Sequence, residues 1–163
     1  MWIQNVSLAD LRAGNHKSPG PDSMLIQIVD PAMEFPVPKH EFSEIHQFEF
    51  LDLEEKDPWG QEFKITNQQA TQLVRLLQHA LAKEMNVVVH CVAGVCRSGA
   101  VCEVGVMMGF ADTEAFRSPN LMVKHSMLRA LGWYYDQDEP HTINGQPFDY
   151  DELNNIVYRG QSS

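Results

Sequence analysis

The sequence has few cysteines, little positive charge and no long apolar run. Three cysteines among 163 residues are too few, and odd in number, for a secreted disulfide scaffold. Twelve Lys and Arg against 22 Asp and Glu give a net charge of −10. That balance argues against nucleic acid and an anionic membrane surface as partners. No stretch approaches the ~20 apolar residues of a membrane span. Met1-Trp2-Ile3-Gln4-Asn5 lacks the basic start and apolar run of a signal peptide. The expected setting is therefore a reducing cytoplasm with free thiols. Seven histidines are present, but no His-x-His, His-x3-His or Cys-x2-Cys pair occurs. A metal site is not expected on that ground, and no cofactor is called for.

What is present fits a globular chain of one domain. A hydrophobic fraction of 44% with 21% charged residues is ordinary for a folded protein of this size. Residues 1–163 read as one domain, with 132–163 as an acidic C-terminal extension. Within it, Asn144-Gly145 is a turn signal, and residues 136–152 fit either an ordered hairpin or a flap. Nothing in the pattern specifies an oligomeric state.

Hydrophobic spacing gives an alternation of strands and helices. Trp2 to Val6 alternates as a strand, and Ser7 caps a short helix with Asp10 in its first turn and Gly14 after it. Met24 to Val29 reads as a buried strand closed by Asp30-Pro31. Phe48 to Leu53 is a third strand candidate. Thr66 and Gln69 form a capping box ahead of an apolar stripe of Ala70, Leu73, Val74, Leu77, Ala80 and Leu81. The spacing predicts a helix to about Met85. Asn86 to His90 is a β-branched central strand, Ser98 to Gly109 a buried helix, and Asn120 to Leu131 another. This order predicts an α/β fold with a central sheet flanked by helices.

The chemistry concentrates after the central strand, in His90-Cys91-Val92-Ala93-Gly94-Val95-Cys96-Arg97-Ser98. A buried strand enters a tight loop and a helix leaves it. Backbone N–H groups of such a loop converge on an anion, and the helix adds its free N–H groups and positive dipole end. Gly94 allows backbone angles that a Cβ forbids. Arg97 offers a planar fork for two phosphate oxygens. A thiol at the bottom of a positive cradle is more readily ionised, and its thiolate is a nucleophile. The bland alternative is a buried cysteine in an ordinary turn. Cys, Gly, Arg and Ser together at these positions favour the anion-binding loop.

This segment resembles the HCxxGxxR(S/T) signature of the cysteine-dependent protein tyrosine and dual-specificity phosphatases, and the Ala93-Gly94 pair is most similar to the small dual-specificity branch. The resemblance implies a dual-specificity phosphatase-like fold and hydrolysis of phosphomonoesters, as phosphorylated proteins or small molecules, in two steps. Cys91 would attack phosphorus and form a cysteinyl-phosphate. Arg97 and the amides of Val92, Ala93, Gly94, Val95, Cys96 and Ser98 would hold the equatorial oxygens. Ser98 would assist departure of the Cys91 sulfur. His90 would orient the loop without touching substrate, although a satisfied core histidine is an equal reading.

The leaving group needs a proton donor, which the family supplies from an aspartate some three dozen or fewer residues before the cysteine, on the loop after a strand. Asp57 fits best, 34 positions before Cys91 and ahead of Pro58-Trp59-Gly60. Asp52 and Glu55 are rivals, Asp52 standing inside the expected strand. Cys96 departs from the dual-specificity pattern. Cys91 and Cys96 together resemble the loop of the low-molecular-weight phosphatases, whose loop lies near the N-terminus and whose acid lies downstream, so that fold is rejected here. The likeness still implies a reversible Cys91–Cys96 disulfide, against the simpler role of filling space. Cys102 reads as core. Arg117, Lys124 and Arg129 are candidates for a basic rim or for a solvated helix face. Two other function classes stay open: a phospho-binding pseudophosphatase and a sulfurtransferase-type cysteine enzyme.

Overall fold

The computed structural model describes residues 1–133, together with the strand backbones at 141–143, 146–150 and 156–158. The chain divides into two compact units, Met1–Trp133 and Tyr134–Ser163.

The first unit is an α/β domain. Its elements in chain order are β1 (Trp2–Ser7), α1 (Leu8–Ala13), β2 (Ser23–Val29), β3 (Glu44–Glu49), α2 (Asn67–Ala82), β4 (Asn86–Cys91), α3 (Arg97–Met108), β5 (Ala111–Asp112) and α4 (Leu121–Leu131), with a 3-10 turn at Gln61–Phe63. The strands form one sheet in the order β3-β2-β4-β1-β5, and every pairing is parallel. The central position of β4 explains its composition. Val87, Val88 and Val89 are fully buried between β1 and β2, as a strand covered on both faces requires.

Period-two alternation along β1 distributes the core. Trp2 and Val6 join Leu11 of α1, Leu25 and Val88 in one cluster. Ile3 points the other way, where its side chain leaves no room for a Cβ at Gly105 of α3. Side chains of opposite parity face opposite sides of a strand, so α1 and α3 cover opposite faces of the sheet. On the α3 side, α4 packs against both α2 and α3. Burial of Ala70, Leu73, Val74, Leu77 and Ala80 on α2 matches the expected stripe.

The local start signals act as expected. Ser7 Oγ accepts the Asp10 N–H at 3.0 Å. Thr66 and Gln69 close a complete capping box. Helix α2 stops at Ala82, three residues short of Met85, where the Met85 N–H turns back to the Ala80 carbonyl at 2.9 Å.

The third strand differs from the pattern-based expectation. It occupies Glu44–Glu49, not Phe48 to Leu53. Pairing decides this: Val29, the last residue of β2, is matched to Glu49, so no partner strand exists beyond it. The Phe50 N–H still reaches the Val29 carbonyl at 3.1 Å, and the Leu51 N–H then bonds the Phe63 carbonyl at 2.8 Å. Phe50 and Leu53 are apolar because they are buried as the chain leaves the sheet.

In the second unit, β6 (His141–Ile143), β7 (Gln146–Tyr150) and β8 (Ile156–Tyr158) form an antiparallel sheet in that order. The Asn144-Gly145 turn signal lies outside the described residues, and the strands on either side of it pair antiparallel.

Candidate active site

Parallel pairing sends the carboxyl ends of β1, β2, β3 and β4 to the same side of the sheet. In open α/β sheets ligands bind outside those ends. The loop from Cys91 to Arg97 lies there, and its geometry is built from β1 and α3.

Gly94 has φ +77°, and a Cβ on it would overlap the Val6–Ser7 peptide. Only glycine lets the loop lie this close to the end of β1. Two hydrogen bonds hold it down: the Leu8 N–H donates to the Val92 carbonyl at 3.2 Å, and Asn5 Nδ2 donates to the Gly94 carbonyl at 2.8 Å. Asn5 Nδ2 also reaches the Phe116 carbonyl at 2.9 Å, so one buried amide joins the loop to the segment ahead of α4.

Cys91 ends β4 with its side chain buried. Its Sγ accepts the Gly94 N–H at 3.2 Å and lies 3.1 Å from Ser98 Oγ. Val92 and Ala93 are exposed, Val95 and Cys96 half-buried. Helix α3 starts at Arg97 with no side-chain cap, whereas Ser7, Thr66 and Asn120 cap α1, α2 and α4. The first N–H groups of α3 are left for something other than the protein's own side chains.

Arg97 is buried, with only 6% of its side chain exposed. Nη1 donates to Asp30 Oδ1 at 2.7 Å and to the Phe50 carbonyl at 2.8 Å. Nε is buried without a partner. Cys91, Gly94, Arg97, Ser98 and His90 thus stand together in one loop and the helix start that follows it.

His90 is fully buried beneath the loop. Its Nδ1 pairs with the Cys91 carbonyl at 3.1 Å, which puts the ring proton on Nδ1. Burial pushes its pKa down to about 4, against the carbonyl bond and with help from the Arg97 charge. The ring is therefore neutral at pH 7. All three cysteines are free thiols. Burial raises the Cys96 pKa, reinforced by the charge of Asp52. Burial pushes Cys102 up to about 11, which leaves it an inert core thiol.

The three carboxylates named from the sequence are held differently. Asp57 is bonded within its own loop: its Oδ2 accepts the Glu54 N–H at 2.7 Å, and its carbonyl accepts Lys64 Nζ at 2.6 Å. Glu55 extends into solvent, with its carboxylate 4.0 Å from Arg129. Asp52 lies past the end of β3, near enough to the Cys91–Arg97 loop for its charge to act on the Cys96 thiol. Its Oδ1 also accepts Asn120 Nδ2 at 2.7 Å. The objection that Asp52 stands within a strand disappears with the shift of β3 to Glu44–Glu49.

Four residues at the site were not singled out from sequence. Asp30 anchors Arg97, Asn5 anchors the loop, and Asn120 holds Asp52. Glu54 accepts the Leu121 and Met122 N–H groups at 3.1 and 2.8 Å. Asp30 was findable, since it follows a buried parallel strand at its carboxyl end. Asn120 carries the signal of a helix cap, and its Oδ1 does accept the Val123 N–H at 2.9 Å.

Among the described residues, no group of three or more His, Cys, Asp or Glu is arranged to hold a metal ion. No helix there is long and apolar enough to cross a membrane.

Comparison with known proteins follows the same direction as the geometry. No curated protein sequence matches the chain. Among solved structures, it is similar to OH1 from the Orf virus, described as a tyrosine phosphatase with triple substrate specificity. That match has 23% identity, covers 66% of this chain and 56% of the viral one, and has a TM-score of 0.45. The chain therefore spans little more than half the length of that relative. A mouse putative dual specificity phosphatase complexed with zinc tungstate matches at 14% identity over 67% of this chain and 69% of its own, TM-score 0.46. Human DUSP28 matches at 13% identity over 83% and 82%, TM-score 0.44. The family profile described as protein-tyrosine phosphatase matches residues 34–131, well over half of the sequence and inclusive of the whole Cys91–Arg97 loop. The chain belongs to the protein-tyrosine phosphatase family.

Proposed function

We propose that the protein hydrolyses phosphomonoesters, phosphotyrosine and also phosphoserine or phosphothreonine in proteins, through a cysteinyl-phosphate. The observation that carries this reading is the Cys91 thiol, 3.1 Å from Ser98 Oγ and 3.2 Å from the Gly94 N–H, beside a buried arginine whose Nε has no partner.

In the first step the Cys91 thiolate attacks phosphorus in line with the leaving oxygen. The S–P bond forms as the P–O bond breaks, and a carboxylic acid gives its proton to the departing alkoxide or phenoxide. Arg97 and the amides between Val92 and Ser98 that are not spent on the Cys91 sulfur carry the negative charge of the equatorial oxygens. In the second step water attacks phosphorus and gives its proton to that same carboxylate. The S–P bond breaks, and Ser98 Oγ stabilises the returning Cys91 thiolate by donating a hydrogen bond. His90 acts through the Cys91 carbonyl, holding the loop with a neutral ring.

Asp52 is favoured as the proton donor over Asp57 and Glu55. Asn120 donates through Nδ2 to the Asp52 carboxylate at 2.7 Å and through its backbone N–H to the Cys96 carbonyl at 3.0 Å, which ties this carboxylate to the loop, and geometry comes before pKa in choosing a general acid.

Hydrolysis of p-nitrophenyl phosphate by the wild type and by Cys91→Ser, with orthovanadate as competitor, tests the reading. Turnover that vanadate inhibits and Cys91→Ser abolishes is expected. A wild type that binds vanadate without turnover is instead a phospho-binding module. Activity surviving in Cys91→Ser removes Cys91 from the mechanism.

A further inference from the structure

Lys64 is buried, only 5% exposed, and the mechanism above does not use it. Burying an ammonium is costly unless it is paired and hydrogen-bonded. Among the described residues no carboxylate pairs with it. Its Nζ donates instead to two backbone carbonyls, that of Asp57 at 2.6 Å and that of Glu55 at 3.2 Å. The carboxylates of Glu54, Glu55 and Asp57 stand on this same stretch of chain, and each is engaged elsewhere. Glu54 accepts the Leu121 and Met122 N–H groups, Asp57 accepts the Glu54 N–H, and Glu55 faces Arg129. The ammonium therefore orders backbone instead of offsetting an acidic side chain.

The backbone it orders carries Asp52. Residues 51–63 form a closed surface loop, with the Leu51 N–H bonded to the Phe63 carbonyl at 2.8 Å across its neck. Lys64 follows that neck and reaches back into the loop. Asp52 is the central residue of a three-residue turn, closed by the Leu53 N–H on the Leu51 carbonyl at 3.0 Å, a turn type common at strand ends. Leu53 is buried, and a Cβ on Gly60 would lie 2.7 Å from its Cδ1, so the far side of the loop packs on the residue next to Asp52. The two carbonyls that Lys64 holds belong to the Glu54–Asp57 turn, in which the Asp57 N–H bonds the Glu54 carbonyl at 3.2 Å. That turn presents the Glu54 carboxylate to α4, whose cap Asn120 holds Asp52. Asp52 is thus fastened by α4 on one side and by the turn on the other, and Lys64 ties the turn down.

We infer that Lys64 is a positioning residue for proton transfer: its ammonium fixes the Glu54–Asp57 turn, and with it the Asp52 side chain beside the Cys91–Arg97 loop. This rests on the phosphatase reading above, with Asp52 as its proton donor. Lys64 touches neither the substrate nor the reacting atoms. Its effect is confined to the step that protonates the leaving oxygen, and the oxyanion cradle of the loop does not depend on it.

The test measures kcat/KM for phenyl phosphate, which has a poor leaving group, and for p-nitrophenyl phosphate, which has a good one. Orthovanadate affinity is measured by calorimetry, and every assay uses the full chain. The variants are Lys64→Met, which keeps an apolar stem and removes the donors, Lys64→Gln, Asp52→Asn and the double variant Lys64→Met/Asp52→Asn. A displaced general acid forfeits part of the ~10²–10⁴ that proton transfer contributes. Lys64→Met is expected to lower kcat/KM for phenyl phosphate about tenfold or more and for p-nitrophenyl phosphate less than about threefold, with vanadate affinity kept within about twofold. Because Lys64 acts through Asp52, the loss on phenyl phosphate should shrink to less than about twofold in the Asp52→Asn background. A purely structural role would lower both esters and vanadate together, by the same factor in both backgrounds. If Lys64→Met does not fold, Lys64→Gln is judged by the same ratio between the two esters. The inference is overturned by a parallel loss on both esters, by no loss on either, or by a loss undiminished beside Asp52→Asn. In those outcomes a wild type that turns over leaves the phosphatase reading intact. An Asp52→Asn variant with no selective loss on phenyl phosphate moves the acid elsewhere and overturns the role of Lys64 as well. A wild type that neither binds vanadate nor hydrolyses either ester removes the phosphatase reading, and the role of Lys64 with it.

Discussion

Asn120 Nδ2 donates to the Asp52 carboxylate at 2.7 Å, across 68 residues of sequence. The same side chain donates to the Leu53 carbonyl at 3.0 Å and caps α4 through the Val123 N–H. Glu54 adds two bonds to the first N–H groups of that helix. The chain leaving β3 is thereby fastened to the start of α4, and α4 is in turn joined to the phosphate loop by the Asn120 N–H, which bonds the Cys96 carbonyl at 3.0 Å. The Asp52 carboxylate is thus held by a side chain whose own backbone N–H is fixed to the loop, and a general acid works only from a fixed position.

Asp52→Asn is therefore expected to lower turnover of alkyl phosphates by about a hundredfold or more, and of p-nitrophenyl phosphate far less, because a good leaving group needs little help from an acid. Asp57→Asn should change both by a similar small factor, since its bonds lie within its own loop. Leaving-group dependence of kcat/KM measured on both variants decides the matter. A selective loss in Asp57→Asn would return the role to that residue.

Gly94→Ala should abolish activity and lower stability by about 2–4 kcal/mol. The new methyl meets the Val6–Ser7 peptide at a positive φ, where neither strain nor overlap can be relieved by a flexible side chain. Urea denaturation of the variant measures the loss. A midpoint equal to that of the wild type would mean that the loop relaxes away from β1.

His90 gives stability a pH dependence of predictable sign. Its folded pKa of about 4 lies below its ordinary value of 6.5, so between those values the unfolded chain binds a proton that the folded one refuses. The contribution is complete above pH 6.5 and is lost as pH falls toward 4. It amounts to about 3 kcal/mol at the most. His90→Gln should flatten this part of the stability profile, followed by denaturant midpoints from pH 7.5 to 4.5. An unchanged slope would place the titration in other groups.

Salt should improve turnover of strongly acidic phosphopeptides. The three cations that are candidates for a basic rim are each paired with a carboxylate. Arg117 bonds both oxygens of Asp112 at 3.1 Å, Lys124 lies 2.8 Å from Glu103, and Arg129 stands 4.0 Å from Glu55. With a net charge of −10, the surrounding field opposes a polyanionic substrate until it is screened. Initial rates between about 20 and 300 mM salt test this on the scale of the Debye length. A steady loss of rate would reveal an attractive surface.

Much of this was readable in advance, for reasons that differ from residue to residue. The capping box at Thr66 and Gln69, the Ser7 cap and the valines of β4 are local signals, set by hydrogen bonds or burial within a few residues. The loop was readable because its chemistry is contiguous: Cys91, Gly94, Arg97 and Ser98 lie on eight successive residues. The end of β3 was not readable in this way. An edge strand ends where its partner ends, and the apolar residues after Glu49 are buried by contacts outside the sheet.

The sequence by itself determined the Cys91–Arg97 loop, the family resemblance and the strand that delivers Cys91, because each depends on neighbours in the chain. Only the tertiary structure decided which partners the carboxylates take. Asp52, Asp57, Glu55 and Asp30 are equivalent as acidic residues near predicted strands. They separate when Asn120 fastens Asp52 near Cys96, the Glu54 N–H ties Asp57 to its own loop, Glu55 turns to solvent, and Asp30 meets Arg97 from a strand 67 residues away. Those contacts join positions far apart in the chain, and parallel strand order is what brings them together.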